Sequence, residues 1–124
     1  MSIIPSPPAA TQQLGGTRFT SLATPSSGST ETSVWQVEIE PDNPATPHSM
    51  TREEVFVVLA GTARVELDGV RGTARAGDAI VVPAGVLLSL SNGGRETLRM
   101  LCCLPVGGQA QMGDGEPFTP PWAE

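Results

Sequence analysis

The stretch that decides the fold is His48-Ser-Met-Thr-Arg-Glu-Glu54-Val-Phe-Val-Val-Leu-Ala60-Gly61. From Glu54 to Ala60 most residues are β-branched, aromatic or apolar, which predicts a strand, and Gly61 ends it. Side chains alternate between the two faces of a strand, so Glu54 and Phe56 lie on the same face. We expect His48 and Glu54 to face one interior together.

Other short strands surround this stretch. Each is an alternating or apolar run bounded by turn residues, and the runs are Val34–Glu40, Ala63–Leu67, Ala79–Val82, Leu87–Leu90 and Leu98–Leu104. The Asp68-Gly69 pair that follows the second run is a strong hairpin signal. No window carries a convincing helical stripe. Short strands at this spacing predict an all-β sandwich or barrel.

The composition limits the classes of function. A chain of 124 residues suits one domain with a modest core. Its net charge of −6 repels phosphate backbones, so we expect no nucleic-acid partner. No apolar stretch approaches the roughly 20 residues that span a bilayer, so we expect no membrane partner. The first residues lack the features of a signal peptide, which predicts a cytoplasmic location.

The distribution of residues along the chain divides it into three segments. Residues 1–33 form an N-terminal arm and linker, in which Arg18–Ala23 is a candidate edge strand or a strand exchanged with a second subunit. Residues 34–106 form the barrel. Residues 107–124 are a Gly- and Pro-rich tail, whose two aromatic residues indicate packing on the barrel or on a neighbour.

The spacing of residues in the central segment resembles the two motifs of the cupin family. The first motif has the form G-x5-H-x-H-x3-4-E-x6-G, and the sequence matches it at His48, Glu54 and Gly61. Asp42 stands in place of its first glycine, and Met50 stands in place of its second histidine. The positions that specify the turns and the strand are therefore better kept than those that bind metal.

The second motif, G-x5-P-x-G-x2-H-x3-N, matches at Gly77, Pro83, Gly85 and Asn92, with Leu88 in place of its histidine. The glycines suit turns with positive φ, and asparagine tolerates left-handed backbone. The resemblance covers the central segment. It implies a single cupin-type double-stranded β-helix, which is a jelly-roll barrel.

The resemblance also implies a depleted metal site. In metal-binding cupins, three histidines and one glutamate from these motifs hold Fe, Mn, Ni, Cu or Zn. Here His48 and Glu54 are good ligands, Met50 offers a soft thioether that suits copper(I), and Leu88 offers no donor. Two such ligands fall short of the three that a catalytic zinc uses. We expect no tightly bound cofactor; a weak divalent metal or copper site at His48, Glu54 and Met50 is the alternative.

Strand alternation assigns a set of mostly apolar side chains to the same interior as His48 and Glu54. They are Trp35, Met50, Phe56, Leu88, Leu90, Met100 and Cys102. The set predicts an apolar pocket that holds one imidazole and one carboxylate, which suits a small organic molecule. A plainer alternative is that Met50, Leu88 and Met100 only fill the core and that His48 is a hydrogen-bonded core or rim residue.

Three functions stay open at this point. The leading hypothesis is a cupin that binds a small, mostly apolar ligand or substrate and uses His48 and Glu54 as a metal-independent acid–base pair, as an isomerase or cyclase would. Burial would raise the pKa of Glu54 toward neutrality, which suits that role. The alternatives are a metal-dependent oxygenase or isomerase with a reduced ligand set, and a non-catalytic ligand-binding module. Cupins commonly pair, so we expect a homodimer.

Overall fold

The computed structural model describes residues 1–124 and is built almost wholly of strands. The strands are β1 Gln12–Leu14, β2 Thr17–Ala23, β3 Thr32–Ile39, β4 Ser49–Met50, β5 Glu54–Ala60, β6 Thr62–Leu67, β7 Val70–Arg75, β8 Ala79–Val82, β9 Leu88–Asn92, β10 Leu98–Pro105 and β11 Ala110–Gln111. Two single turns of 3-10 helix cover Pro25–Ser27 and Pro121–Ala123. No helix is long and apolar enough to cross a membrane.

The strands form a jelly roll. A six-stranded sheet has the order β1-β2-β3-β10-β5-β8, a three-stranded sheet has the order β7-β6-β9, and β4 pairs with β11. Every pairing is antiparallel. Strands distant in sequence lie side by side, as β3 and β10 do, because the chain crosses repeatedly between the sheets. The all-β jelly-roll prediction is confirmed.

The core follows from alternation along the central strand, β10. Leu98, Met100, Cys102 and Leu104 are each at most 1% exposed, whereas Arg99 between them is exposed. The neighbouring strands β3 and β5 turn the same faces inward. Burial of these apolar side chains is the main stabilising term, at about 25 cal/mol for each Å² removed from water.

The predicted hairpin at Asp68-Gly69 is present. Asp68 has a φ of 47° and Gly69 a φ of 85°, and they join β6 to β7 as a two-residue loop. Positive φ at both positions is the geometry of a type I′ turn, whose twist matches that of the flanking strands. Asp42 likewise has a φ of 62°, which is the left-handed conformation that the glycine it replaces would adopt easily.

The role expected for Asn92 is wrong. It does not adopt a positive φ; instead it ends β9 and is only 8% exposed. Its Nδ2 donates to the carbonyl oxygens of Ile39 at 2.9 Å and Glu96 at 2.7 Å, and its Oδ1 accepts from the N–H of Gly94 at 2.8 Å. Asparagine is required here as a buried hydrogen-bonding link between loop and strand, because backbone groups at this depth need partners.

Both ends of the chain lie against the barrel. The strand β2 pairs with β3 of the same chain, which extends the large sheet. At the other end, the ring of Trp122 stacks on Phe19 with centroids 3.6 Å apart and planes 4° from parallel. The hydroxyls of Ser21 and Ser33 donate to the carbonyl oxygens of Trp122 and Ala123 at 2.7 and 3.3 Å. These contacts hold the tail over one edge of the barrel.

Two glycines with nearly the same backbone conformation give a test of this packing. At Gly61, with a φ of 84°, an added Cβ would lie 2.9 Å from the Thr97 carbonyl oxygen and 3.0 Å from the Leu98 Cα. At Gly69, with a φ of 85°, nothing lies within 4 Å. We expect Gly69→Ala to cost about 1 kcal/mol of stability, from the left-handed backbone alone. Gly61→Ala should cost at least about 2 kcal/mol more, because backbone must also move.

Urea unfolding of both variants measures the difference. Equal destabilisation by the two substitutions would contradict the close approach of the β5–β6 turn to the start of β10.

Candidate functional site

A cavity of about 440 Å³ opens into the barrel. Of the 24 residues that line it, 15 are hydrophobic. The wall is built by inward side chains of β3, β5, β9 and β10, by the loop before β4, and by both ends of the chain. The size lies within the range of pockets that enclose small organic molecules.

The structure brings all nine residues singled out from the sequence onto this wall. They are His48, Glu54, Trp35, Met50, Phe56, Leu88, Leu90, Met100 and Cys102. Seven of them are buried, whereas His48 and Leu90 are partly exposed. The strand alternation read from the sequence therefore gives their placement; their roles in binding or catalysis stay predictions.

Glu54 places a carboxyl group in an apolar part of the wall. It begins β5 opposite Val82 of β8, and the alternation of that strand turns its side chain inward, where it is 3% exposed. Its Oε1 atom has no hydrogen-bond partner. Burial raises the pKa of Glu54 to about 8, because the charged form loses its hydration. At neutral pH the group is mostly a protonated acid.

His48 is fixed by backbone contacts on the opposite side of the site. Its N–H donates to the Leu88 carbonyl oxygen at 3.0 Å, and its own carbonyl accepts from the Leu88 N–H at 2.8 Å. The ring Nδ1 lies 2.9 Å from the carbonyl oxygen of Thr46. Because a carbonyl only accepts, Nδ1 carries the proton, which leaves Nε2 of the neutral ring as an acceptor.

The two positions that depart from the cupin motifs are filled by buried apolar side chains. Met50 is 3% exposed and Leu88 is 1% exposed. No group of three or more His, Cys, Asp or Glu side chains is arranged to hold a metal ion. The donors at the site, one imidazole, one carboxyl and one thioether, do not fit a tightly held Fe, Mn, Ni or Zn ion.

Cys102 lies on the same wall but is not a reactive thiolate. Burial, and then the charge of Glu54, raise the pKa of Cys102 well above its usual value. Cys103 points to the other face of β10 and is partly exposed. The two adjacent thiols are free, as strand geometry predicts.

Several lining residues were not found from the sequence. They come from the N-terminal hairpin, from the loop before β4 and from the tail: Gln12, Leu14, Thr17, Phe19, Asn43, Pro44, Thr46, Ala110, Met112, Phe118, Pro120, Pro121 and Trp122. The aromatic residues of the tail gave a signal for packing but not for its location. The others gave none, because their position depends on how β2 pairs with β3 and not on any local pattern.

Solved structures with the same fold fall into several functional classes. The polyketide cyclase RemF from Streptomyces resistomycificus is 23% identical with a TM-score of 0.67, over 82% of this chain and 73% of that chain. A putative ethanolamine utilization protein Q from Salmonella typhimurium is 23% identical with a TM-score of 0.62, over 74% and 75% of the two chains. Salicylate 1,2-dioxygenase from Pseudoaminobacter salicylatoxidans is 16% identical with a TM-score of 0.69, over 87% of this chain.

The likenesses differ in extent. This chain spans about a third of the length of the salicylate dioxygenase chain and of a hazelnut vicilin chain, 31% and 33% respectively. At these identities the solved structures show a common fold. A comparison with curated protein sequences finds no match.

The family is shown by the sequence itself. The family model described as a cupin domain matches residues 35–104, which is more than half of the chain and contains the strands that carry Trp35, Glu54, Leu88 and Met100. The chain belongs to the cupin domain family.

Proposed function

We propose that this cupin domain binds a small, mostly apolar organic molecule inside the barrel and moves a proton on it with His48 and Glu54. The observation that carries the proposal is the Glu54 carboxyl, which faces the cavity from a buried position and has no partner for Oε1. Burying a polar group without a partner is costly, and such groups are retained where a ligand or a reaction uses them.

The protonation states give the two residues complementary roles. Because burial raises the pKa of Glu54 to about 8, it can give a proton or a hydrogen bond at neutral pH. His48 holds its Nδ1 proton on the carbonyl of Thr46, so Nε2 can accept a proton. Nε2 would take the acidic hydrogen of an activated carbonyl compound while Glu54 protonates the carbonyl oxygen, which forms an enol; the reverse transfer at another atom gives an isomer.

The likeness to the polyketide cyclase supports chemistry of this class, since enol formation beside a carbonyl also begins a cyclisation. The donor set supports a reaction without a tightly held metal, because Leu88 and Met50 occupy positions that would need nitrogen donors. A homodimer and a cytoplasmic location stay predictions from the sequence.

Proton transfer can be tested with a simple ketone. We expect the protein to accelerate incorporation of deuterium beside the carbonyl of 2-tetralone in D₂O, followed by NMR. Glu54→Gln and His48→Ala should each slow this exchange by at least about 100-fold, because general acid–base catalysis contributes that much. Glu53→Gln is the matched control, since Glu53 is the exposed neighbour of Glu54.

Full activity in the Glu54 or His48 variant would remove the acid–base role. Metal content is measured on the same samples before and after treatment with a chelator. Exchange should survive chelation; a stoichiometric metal that is lost in His48→Ala, together with exchange that needs it, would favour the metal-dependent alternative.

The buried carboxyl also predicts how stability depends on pH. With a folded-state pKa of about 8 against 4.5 in the unfolded chain, Glu54 keeps a proton in the folded state that the unfolded chain has released. Its contribution is complete below about pH 4.5 and is lost as pH rises through about 8. Between pH 6 and 9 this loss amounts to about 2–3 kcal/mol.

Urea unfolding at these two pH values should give a slope that Glu54→Gln removes and Glu53→Gln retains. An unchanged slope in Glu54→Gln would mean that the carboxyl is ionised in the folded protein.

A further inference from the structure

We propose that the ligand of this cavity is an uncharged molecule that carries two oxygens of opposite hydrogen-bonding character. One is a carbonyl that accepts from Glu54, and the other is an enolic or phenolic hydroxyl that donates to His48. The inference rests on the proposed function, because it takes the same cavity as the ligand site.

The charges of the wall exclude an anionic ligand. None of the 24 lining residues is Lys or Arg, and the titratable groups among them are His48, Glu54 and Cys102. A carboxylate or phosphate would enter an apolar wall with no cation to pair with it, which costs several kcal/mol. The net charge of −6 also repels anions from the whole surface.

Few polar groups of the wall are free to meet a ligand. Asn43 is occupied within the protein, since its Nδ2 donates to the Thr17 hydroxyl at 3.0 Å and its Oδ1 accepts from the Gly16 N–H at 3.1 Å. Gln12 and Thr46 are exposed. The Glu54 carboxyl and His48 Nε2 are therefore the two polar groups that the barrel interior offers.

These two groups ask for different atoms. A carboxyl at 3% exposure, set in an apolar wall, carries its proton and so presents a donor. The imidazole, with Nδ1–H on Thr46, presents an acceptor at Nε2. A ligand oxygen without hydrogen matches the first, and a hydroxyl matches the second. The hydroxyl takes the place that the acidic hydrogen occupies during proton transfer.

The mouth of the cavity gives the ligand an orientation. Its lining includes Leu14, Met112 and Phe118, which are 61%, 41% and 43% exposed, whereas Glu54 is buried. Polar groups thus lie inside an apolar rim. The oxygen-bearing part of the ligand points inward, and its hydrocarbon part remains near the rim, where exposed apolar side chains gain from being covered.

A series of compounds on one carbon skeleton tests the proposal by calorimetric titration at neutral pH. The series is 6-hydroxy-1-tetralone with both oxygens, 1-tetralone with the carbonyl alone, 5,6,7,8-tetrahydro-2-naphthol with the hydroxyl alone, and 5,6,7,8-tetrahydro-2-naphthoate as the anion. We expect the hydroxyketone to bind tightest. Removal of either oxygen should weaken binding about 5- to 10-fold, the usual effect of one hydrogen bond, and the anion should bind weakest.

Variants assign each preference to its residue. Glu54→Leu should abolish the advantage of the carbonyl, whereas Glu54→Gln should keep it through the amide N–H. His48→Phe should abolish the advantage of the hydroxyl. Glu53→Gln, on the exposed side, should leave the series unchanged.

The outcomes separate this inference from the proposed function. Equal affinities across the series, tightest binding of the anion, or no binding by any member would overturn the inference, whatever the exchange experiment gives. The predicted preferences without any proton exchange would support the inference and overturn the catalytic role.

Discussion

The site depends on one constraint, which is that a carboxyl group is held in an apolar wall without a partner from the protein. Glu54 occupies this position because β5 lies between β10 and β8 in a fixed register, with Glu54 opposite Val82 and Val55 opposite Cys103. A shift by one residue would turn Glu54 to solvent and Val55 inward. The hydrophobic burial along β10 and β5 stabilises the register, and the register sets the chemistry of the cavity.

The loss of metal ligands and the character of the carboxyl are connected. Where Met50 and Leu88 stand, imidazoles would have drawn a cation into the barrel, and a cation beside Glu54 would favour the ionised form. Apolar side chains at these two positions instead deepen the burial of the carboxyl and favour its protonated form. The same scaffold is thereby moved from metal binding toward proton transfer and recognition of neutral ligands.

Much of the fold could be predicted from local patterns, and the site only in part. Alternation in β5, β9 and β10 gave the inward residues, and the Asp68-Gly69 pair gave the hairpin, because both depend on neighbours in sequence. The link made by Asn92 was missed, since its partners Ile39 and Gly94 meet it only in the folded chain. The mouth of the cavity was missed for the same reason, because Phe19 and Trp122 come together from the two ends of the chain.

The protonation state of Glu54 in the folded protein is the central claim, and carbon NMR of protein labelled at the glutamate side-chain carboxyl carbon measures it directly. Comparison with Glu54→Gln assigns the signal. The account predicts that this carboxyl is protonated at neutral pH and titrates with a midpoint near the pKa of about 8 that burial gives it. A signal that is already ionised at about pH 6, close to an ordinary glutamate, would contradict it.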